Sequence, residues 1–230
     1  MEITGLMSLN QKEQNLDESG DAYLFEAFVL APCLFTKHDV ELDVGNYTLK
    51  MVTKDYREVP TDITRMLMII FSTVTKCRKP NDTQVYLTEK IILNMCFPDN
   101  NADTEQCKRN RTLLQMSFEE LRKSHLEIKD KNDNIHFIKL NFIDYLELVV
   151  IQGIRIYSFK VNDQFYQICK KHKLKFDIAS YKEQNGFIEQ SMYLLGMYKE
   201  HKKNIEKYYL TSHFIFKALG YDFSKKNVEA

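Results

Sequence analysis

The chain has 230 residues, of which 44% are hydrophobic, 12% aromatic and 28% charged, with seven glycines and four prolines. These are the values of a globular chain, and they exclude collagen-like, low-complexity and fully disordered classes. Thirty-two basic and thirty-two acidic side chains give zero net charge, and no run of ~18 consecutive apolar residues marks a membrane span.

The zero hides an uneven distribution. Residues 1–59 carry a balance of −6, residues 60–169 of +1 and residues 170–230 of +5. An acidic front and a basic rear suit a polyanion-binding C-terminal half. A lysine-rich solvated surface gives the same numbers. The opening MEITGLMSLNQKEQNLDESG has no basic region followed by an apolar stretch, so no secretory signal is expected. Cys33, Cys77, Cys96, Cys107 and Cys169 form no CxxC pair, which predicts free thiols in a reducing cytoplasm.

In chain order, residues 1–20 read as a flexible tail. The stretch from Tyr23 to Leu34 is apolar enough for a strand or a short helix, with Pro32 as an interruption. Val40, Leu42 and Val44, a turn at residues 43–46, then Tyr47, Leu49 and Met51 predict a hairpin. After Pro60, the residues Ile63, Met66, Leu67, Ile70, Phe71 and Val74 fall on one helical stripe. Thr61 or Asp62 is placed to cap that helix, and Pro80 stops it. A short strand over Val85–Leu87 leads to a short helix capped by Thr88. A longer helix, about Thr104 to Ser124, buries Cys107, Leu114, Phe118 and Leu121 and presents basic residues on its other faces. Two hairpins follow. One runs from Leu126 to Ile143 around the polar cluster Asp130–Asn134, and one from Tyr145 to Val161 around Gln152-Gly153. Asn162 caps a helix from Asp163 to Lys171. A last helical region puts Ile188, Ser191, Met192, Leu195 and Tyr198 on one stripe, and Phe214, Ala218 and Leu219 on another.

The order over residues 61–143 is helix, strand, short helix, longer basic helix, hairpin. That is the order of a winged helix-turn-helix, whose second helix of the turn enters the DNA major groove. Arg109, Arg111 and Gln115 are the candidates for base edges, because Arg pairs bidentately with guanine and Gln with adenine. Lys108, Lys129 and Lys131 suit phosphates, and Arg122 and Lys123 of the same helix are further DNA-binding candidates. Asn132 sits with Lys129 and Lys131 at the hairpin tip that would be the wing. The plainer reading of a helix bearing Lys108, Arg109 and Arg111 is a solvated face.

The stretches GNYTLKMV, VPTDITRMLMIIFSTVTK, KRNRTLLQMSFEELRKSHLEI, IRIYSFKVNDQFYQICKKHKLKFDIASYKEQNGFIEQSMYLLGMYKE and IEKYYLTSHFIFKALGY together resemble the plasmid replication initiators of the RepA type. The likeness covers roughly residues 25–222 and lies in apolar spacing and order. It implies an α+β, mostly helical fold with two winged-helix units. Here these would be residues 21–152, with an N-terminal hairpin, and a second, incomplete unit over 153–223, before a charged tail at 224–230. The second recognition helix and its wing are expected to be missing, as in a shortened relative. The resemblance implies sequence-specific binding of double-stranded DNA at origin repeats or an operator, recruitment of host replication proteins, autorepression, and a homodimer as one assembly state. No catalysis and no cofactor are expected. The alternative is a winged-helix interaction module, an accessory regulator of a plasmid or phage that does not bind DNA. Cations on one exposed face favour the first reading. Cations paired with Glu105, Glu119 and Asp130 favour the second.

Other chemistries find little support. No HxxxH, HExxH or HUH spacing links the six histidines, and no P-loop or GxGxxG occurs. His38, Asp39 and Glu41 need no metal to form a surface turn. Cys96 and Cys169 read as buried structural thiols rather than nucleophiles. The aromatic run Tyr193, Tyr198, Tyr208, Tyr209, Phe214, Phe216 and Tyr221 could stack on single-stranded bases, but its helical spacing is that of a core.

Overall fold

A computed structural model describes residues 20–35, 41–44, 47–53, 61–77, 84–97, 105–131 and 137–201, with 215, 218 and 219. Among these residues the fold is mixed α/β, with seven α-helices and three antiparallel sheets. The expected tails lie outside the described residues, as do the wing-tip residue Asn132 and most of the region after His201.

The apolar stretch at the start resolves into both of its alternatives. Strand β1 (Asp21–Phe25) runs straight into helix α1 (Glu26–Leu30), and a 3-10 turn follows over Pro32–Phe35. Strands β2 (Glu41–Val44) and β3 (Tyr47–Val52) form the expected hairpin, with Leu42 opposite Leu49.

Helix α2 (Thr61–Cys77) differs from the expected one-sided stripe. From Ile63 to Thr75 every residue is buried. It is the central helix, enclosed by β1 and by the helices named below. Its buried hydroxyls explain how polar residues are tolerated there. Thr73 Oγ1 accepts the Tyr23 N–H at 3.0 Å and Ser72 Oγ accepts the Phe25 N–H at 3.1 Å. These bonds satisfy the side of β1 that faces no strand.

Strand β4 (Gln84–Thr88), helix α3 (Glu89–Cys96) and helix α4 (Glu105–Lys123) follow as expected, except that Thr88 precedes α3 without a capping side-chain hydrogen bond. Strands β5 (His125–Asp130) and β6 (Phe137–Asn141) form one hairpin, and β7 (Ile143–Ile151) and β8 (Ile154–Val161) the other. The hairpins join different sheets. β5 and β6 extend the β2–β3 hairpin in the order β2-β3-β5-β6, whereas β4 lies beside β8 in the order β4-β8-β7. Cross-strand apolar rows hold each sheet together. One row is Leu42, Leu49, Ile128 and Ile138. In the other sheet Val85, Phe159 and Leu146 form a row, and Leu87, Tyr157 and Leu148 the next. The β7–β8 turn has two residues, Gln152 and Gly153, with φ of 51° and 80°. Two positive φ values give the turn the twist of its strands, and the second position suits glycine. The domain boundary expected at 152 falls inside this turn.

Helix α5 (Asp163–Lys171) starts on Asn162, whose side chain accepts the N–H groups of Gln164 and Phe165 at 3.0 and 3.1 Å. Asn162→Ala is expected to cost about 1 kcal/mol, read as a lower urea midpoint at unchanged slope. A loss below about 0.3 kcal/mol would mean that the cap is not formed in solution.

Strand β9 (Lys173–Asp177) is not among the sequence expectations. It pairs antiparallel with β1, Leu24 opposite Leu174. Helices α6 (Ile178–Lys182) and α7 (Gly186–His201) complete the described chain. The expected stripe on α7 is corrected. Ser191, Leu194, Leu195 and Tyr198 are buried, while Ile188 and Met192 are 51% and 40% exposed. The face turned inward is set by Arg65 of α2, which donates to Ser191 Oγ at 2.9 Å.

One continuous core joins all three sheets. Phe25, Phe28, Phe142 and Phe165 pack near its N-terminal end, and Phe71, Phe118, Tyr157 and Phe159 between α2, α4 and the β4-β8-β7 sheet. No helix among the described residues is long and apolar enough to cross a membrane.

Candidate nucleic-acid interface

Helix α4 is anchored by Cys107, Leu114, Phe118 and Leu121, all at most 1% exposed. Their spacing leaves Lys108, Arg109, Thr112, Gln115 and Arg122 on the solvent side. Arg109 and Gln115 make no hydrogen bond or ion pair among the described residues. Lys108 Nζ lies 3.2 Å from Glu105 Oε2, and Arg122 Nη2 lies 2.9 Å from Glu119 Oε2. Both pairs are exposed and three residues apart on one helix, so each is worth only a few tenths of a kcal/mol. Such pairs exchange readily for a phosphate.

Arg111 is held differently. Its Nε donates to Glu89 Oε2 at 2.9 Å. Arg155 of β8 donates its Nε to Oε1 of the same carboxylate at 2.9 Å and lies 2.8 Å from Oε2. Glu89 is the first residue of α3, and its side chain is 4% exposed against 39% for Arg111 and 37% for Arg155. A carboxylate at a helix N-terminus is favoured by the helix dipole, and charge-assisted bonds of this length are strong ones. The node ties α3, α4 and the β7–β8 hairpin together. Arg111, expected at a base edge, is thus tethered at the hairpin side of the helix. Tyr157 lies close enough to feel all three charges. Burial first, then Glu89, push its phenol up to about 12, with Arg155 and Arg111 opposing. It stays protonated, and its buried hydroxyl has no hydrogen-bond partner among the described residues.

The other expected contacts lie elsewhere. Only Ser124 separates α4 from β5, so the β5–β6 hairpin leaves the C-terminal end of α4. Lys108 and Arg122 stand about 21 Å apart along the axis at ~1.5 Å per residue. Lys129 Nζ lies 3.3 Å from Glu41 Oε1, and Lys131 Nζ 3.2 Å from Asp43 Oδ1. These lysines therefore face the acids of β2 in their own sheet. Lys123 is half-buried at the same end of α4. The structure sets Arg111 beside the β7–β8 turn, leaves Lys108, Arg109 and Gln115 exposed on the first three turns of α4, and puts Arg122 and Lys123 in its last turn, with Lys129 and Lys131 on β5 and just beyond it.

Arg155 and Lys90 escaped the sequence reasoning. The available signal for Arg155 was its position two residues after the Gln152-Gly153 turn. Lys90, exposed at the second position of α3, had no such signal.

No group of three or more His, Cys, Asp or Glu residues placed to hold a metal occurs among the described residues. Burial pushes the Cys96 thiol up to about 12 and the Cys169 thiol upward as well. Neither is a thiolate nucleophile near neutral pH. His38 and Asp39 lie outside the described residues, and Glu41 pairs with Lys129.

No family model and no curated protein sequence matches the chain. Among solved structures, the crystal structure of selenomethionine derivatives of domain 2 and domain 3 of RctB is similar, with a TM-score of 0.46 and 10% identity, over 81% of this chain and 71% of that chain.

Proposed function

We propose that the chain binds double-stranded DNA through a winged helix-turn-helix unit made of α2, β4, α3, α4, β7 and β8. The observation that carries this reading is the pairing of β4, the strand between α2 and α3, with β8 in the order β4-β8-β7. In a winged helix the strand between the first two helices lies beside the last strand of the wing. On this assignment α4 is the recognition helix, the β7–β8 turn is the wing, and the β5–β6 hairpin is an insertion between them. Gln115 and Arg109 face base edges, and Lys108, Arg111 and Arg155 face phosphates. The resemblance to plasmid initiators supplies the expected target, origin repeats or an operator near the gene. The protein then acts by binding and recruitment rather than by catalysis.

The test is fluorescence anisotropy of the full chain with a labelled duplex from the DNA flanking its gene, beside a scrambled duplex, at two salt concentrations. Tighter binding to the flanking duplex is expected, falling with salt as several phosphate contacts require. Gln115→Ala is expected to weaken the flanking duplex by about 1–3 kcal/mol and to leave the scrambled one nearly unchanged. Absence of binding to either duplex at low salt overturns the proposal. The ion pairs of Lys108, Arg122, Lys129 and Lys131 with acids favour the second reading, a protein-interaction module, which that negative result would leave standing.

A further inference from the structure

Beside the Glu89 node lies a cavity of about 290 Å³, lined among others by Lys90, Asn94, Arg111, Gly153 and Arg155. Its charge does not balance. Two guanidiniums and the Lys90 ammonium face a single carboxylate. One guanidinium is enough to neutralise Glu89, and the second brings like-charge repulsion that an anion would relieve. The bonding leaves the means to hold that anion. Both arginines engage Glu89 through Nε, so their terminal Nη groups have no partner among the described residues. Lys90 is exposed and likewise unpaired among the described residues. A guanidinium fixed by one edge is pre-organised to offer the other, which is how arginine takes a phosphoryl group.

We infer that the cavity between the start of α3, helix α4 and the β7–β8 turn is a binding pocket for a phosphoryl oxyanion, held by Arg111, Arg155 and Lys90, with Glu89 as the positioning residue that fixes both guanidiniums. This deepens the proposed function, on which it rests for its natural ligand, a phosphate of the DNA backbone. The pocket lies where α4 and the hairpin meet, so that phosphate would fix the register of the helix against the duplex. Free phosphate or pyrophosphate shares the chemistry.

The experiment has two arms, both on the full chain. In the first, the salt dependence of duplex binding is compared among wild type, Arg155→Met and Lys90→Met. Each variant is expected to bind flanking and scrambled duplexes about 5–10-fold more weakly at low salt, with the slope of log K against log salt smaller by ~1. Lys90→Met touches no contact of the node, so it carries the test alone where Arg155→Met does not fold. In the second arm, inorganic pyrophosphate is titrated at constant ionic strength and the thermal midpoint is followed. Wild type is expected to gain stability and the variants to gain less. Wild-type duplex binding with unchanged affinity and slope in the folded variants overturns the pocket and leaves the DNA reading intact. Pyrophosphate protection that the variants lose, without duplex binding by wild type, overturns the DNA reading and supports the pocket as a site for a free oxyanion. No response in either arm overturns both.

Discussion

Phe118→Ala is expected to lower the free energy of unfolding by about 3–5 kcal/mol, the usual cost of deleting a fully buried aromatic ring. Phe118 is 0% exposed. Its ring stacks on Tyr157 with centroids 4.7 Å apart and an interplanar angle of 17°, and it tilts against Phe159 at 5.9 Å and Phe71 at 6.1 Å. Those partners belong to β8 and α2, so one side chain bonds α4 both to the sheet and to the central helix. Removing it leaves a hole lined by three aromatic rings, and rings in a close-packed interior collapse poorly. Urea unfolding followed by circular dichroism measures the loss, and Phe118→Leu, which keeps most of the apolar volume, is expected to lose less. A loss below about 1 kcal/mol for Phe118→Ala would mean that α4 is not seated as described.

The second large effect concerns Arg65, whose side chain is 1% exposed. It donates to the Phe187 carbonyl at 3.2 Å, to Ser191 Oγ at 2.9 Å and to Gln190 Oε1, and its guanidinium sits over the Phe187 ring at 4.4 Å. Among the described residues its neighbouring carboxylate, Asp62, is 3.8 Å away and 67% exposed, and the Arg65 Nε has no partner. Desolvation by burial accordingly lowers its pKa, opposed by Tyr181 and Asp62. Arg65→Ala removes the packing as well as the bonds, and is expected to cost about 2–5 kcal/mol, as large-to-small substitutions at buried sites do. Arg65→Met keeps the volume and discards the charge. Ser191 Oγ and the Phe187 carbonyl still bond to each other at 2.6 Å, and Gln190, whose Oε1 loses its donor, is only half-buried. Arg65→Met is therefore expected to lie within about 1 kcal/mol of wild type or above it. Equal losses in the two variants would locate the worth of Arg65 in its charge and refute the packing argument.

How much of this was readable from the sequence depended on distance along the chain. Helices α2 and α4, the two-residue turn at Gln152-Gly153 and the Asn162 cap are written in local patterns, and the structure has them. Strand pairing is not local. The hairpins over 125–141 and 143–161 carry the same alternation, and nothing in either says which lies beside β4. The sequence reading gave the wing to the first, whereas β4 pairs with β8. Strand β9 has only five residues, and its partner β1 lies about 150 residues earlier. Helix α7 is apolar on several sides, so its inward phase was decided by Arg65 and could not be taken from periodicity. The neighbourhood of the candidate residues is non-local in the same manner. Lys108, Arg109 and Gln115 were visible as exposed residues of one helix. The role of Arg111 required Glu89 and Arg155, which stand 22 residues before it and 44 after it.

The pairing of β1 with β9 also governs the order in which the chain can assemble. Leu24 meets Leu174, 150 residues later. At ~5–20 residues per second of synthesis, β1 waits on the order of 8–30 s for its partner. Contacts this far apart in sequence close late, because the loop entropy must be spent before they give any return. During that interval Ala22, Leu24 and Phe25, at most 3% exposed in the finished fold, are left without the strand that covers them. Strand β1 is thus seated against β9 only after most of the described chain has been made.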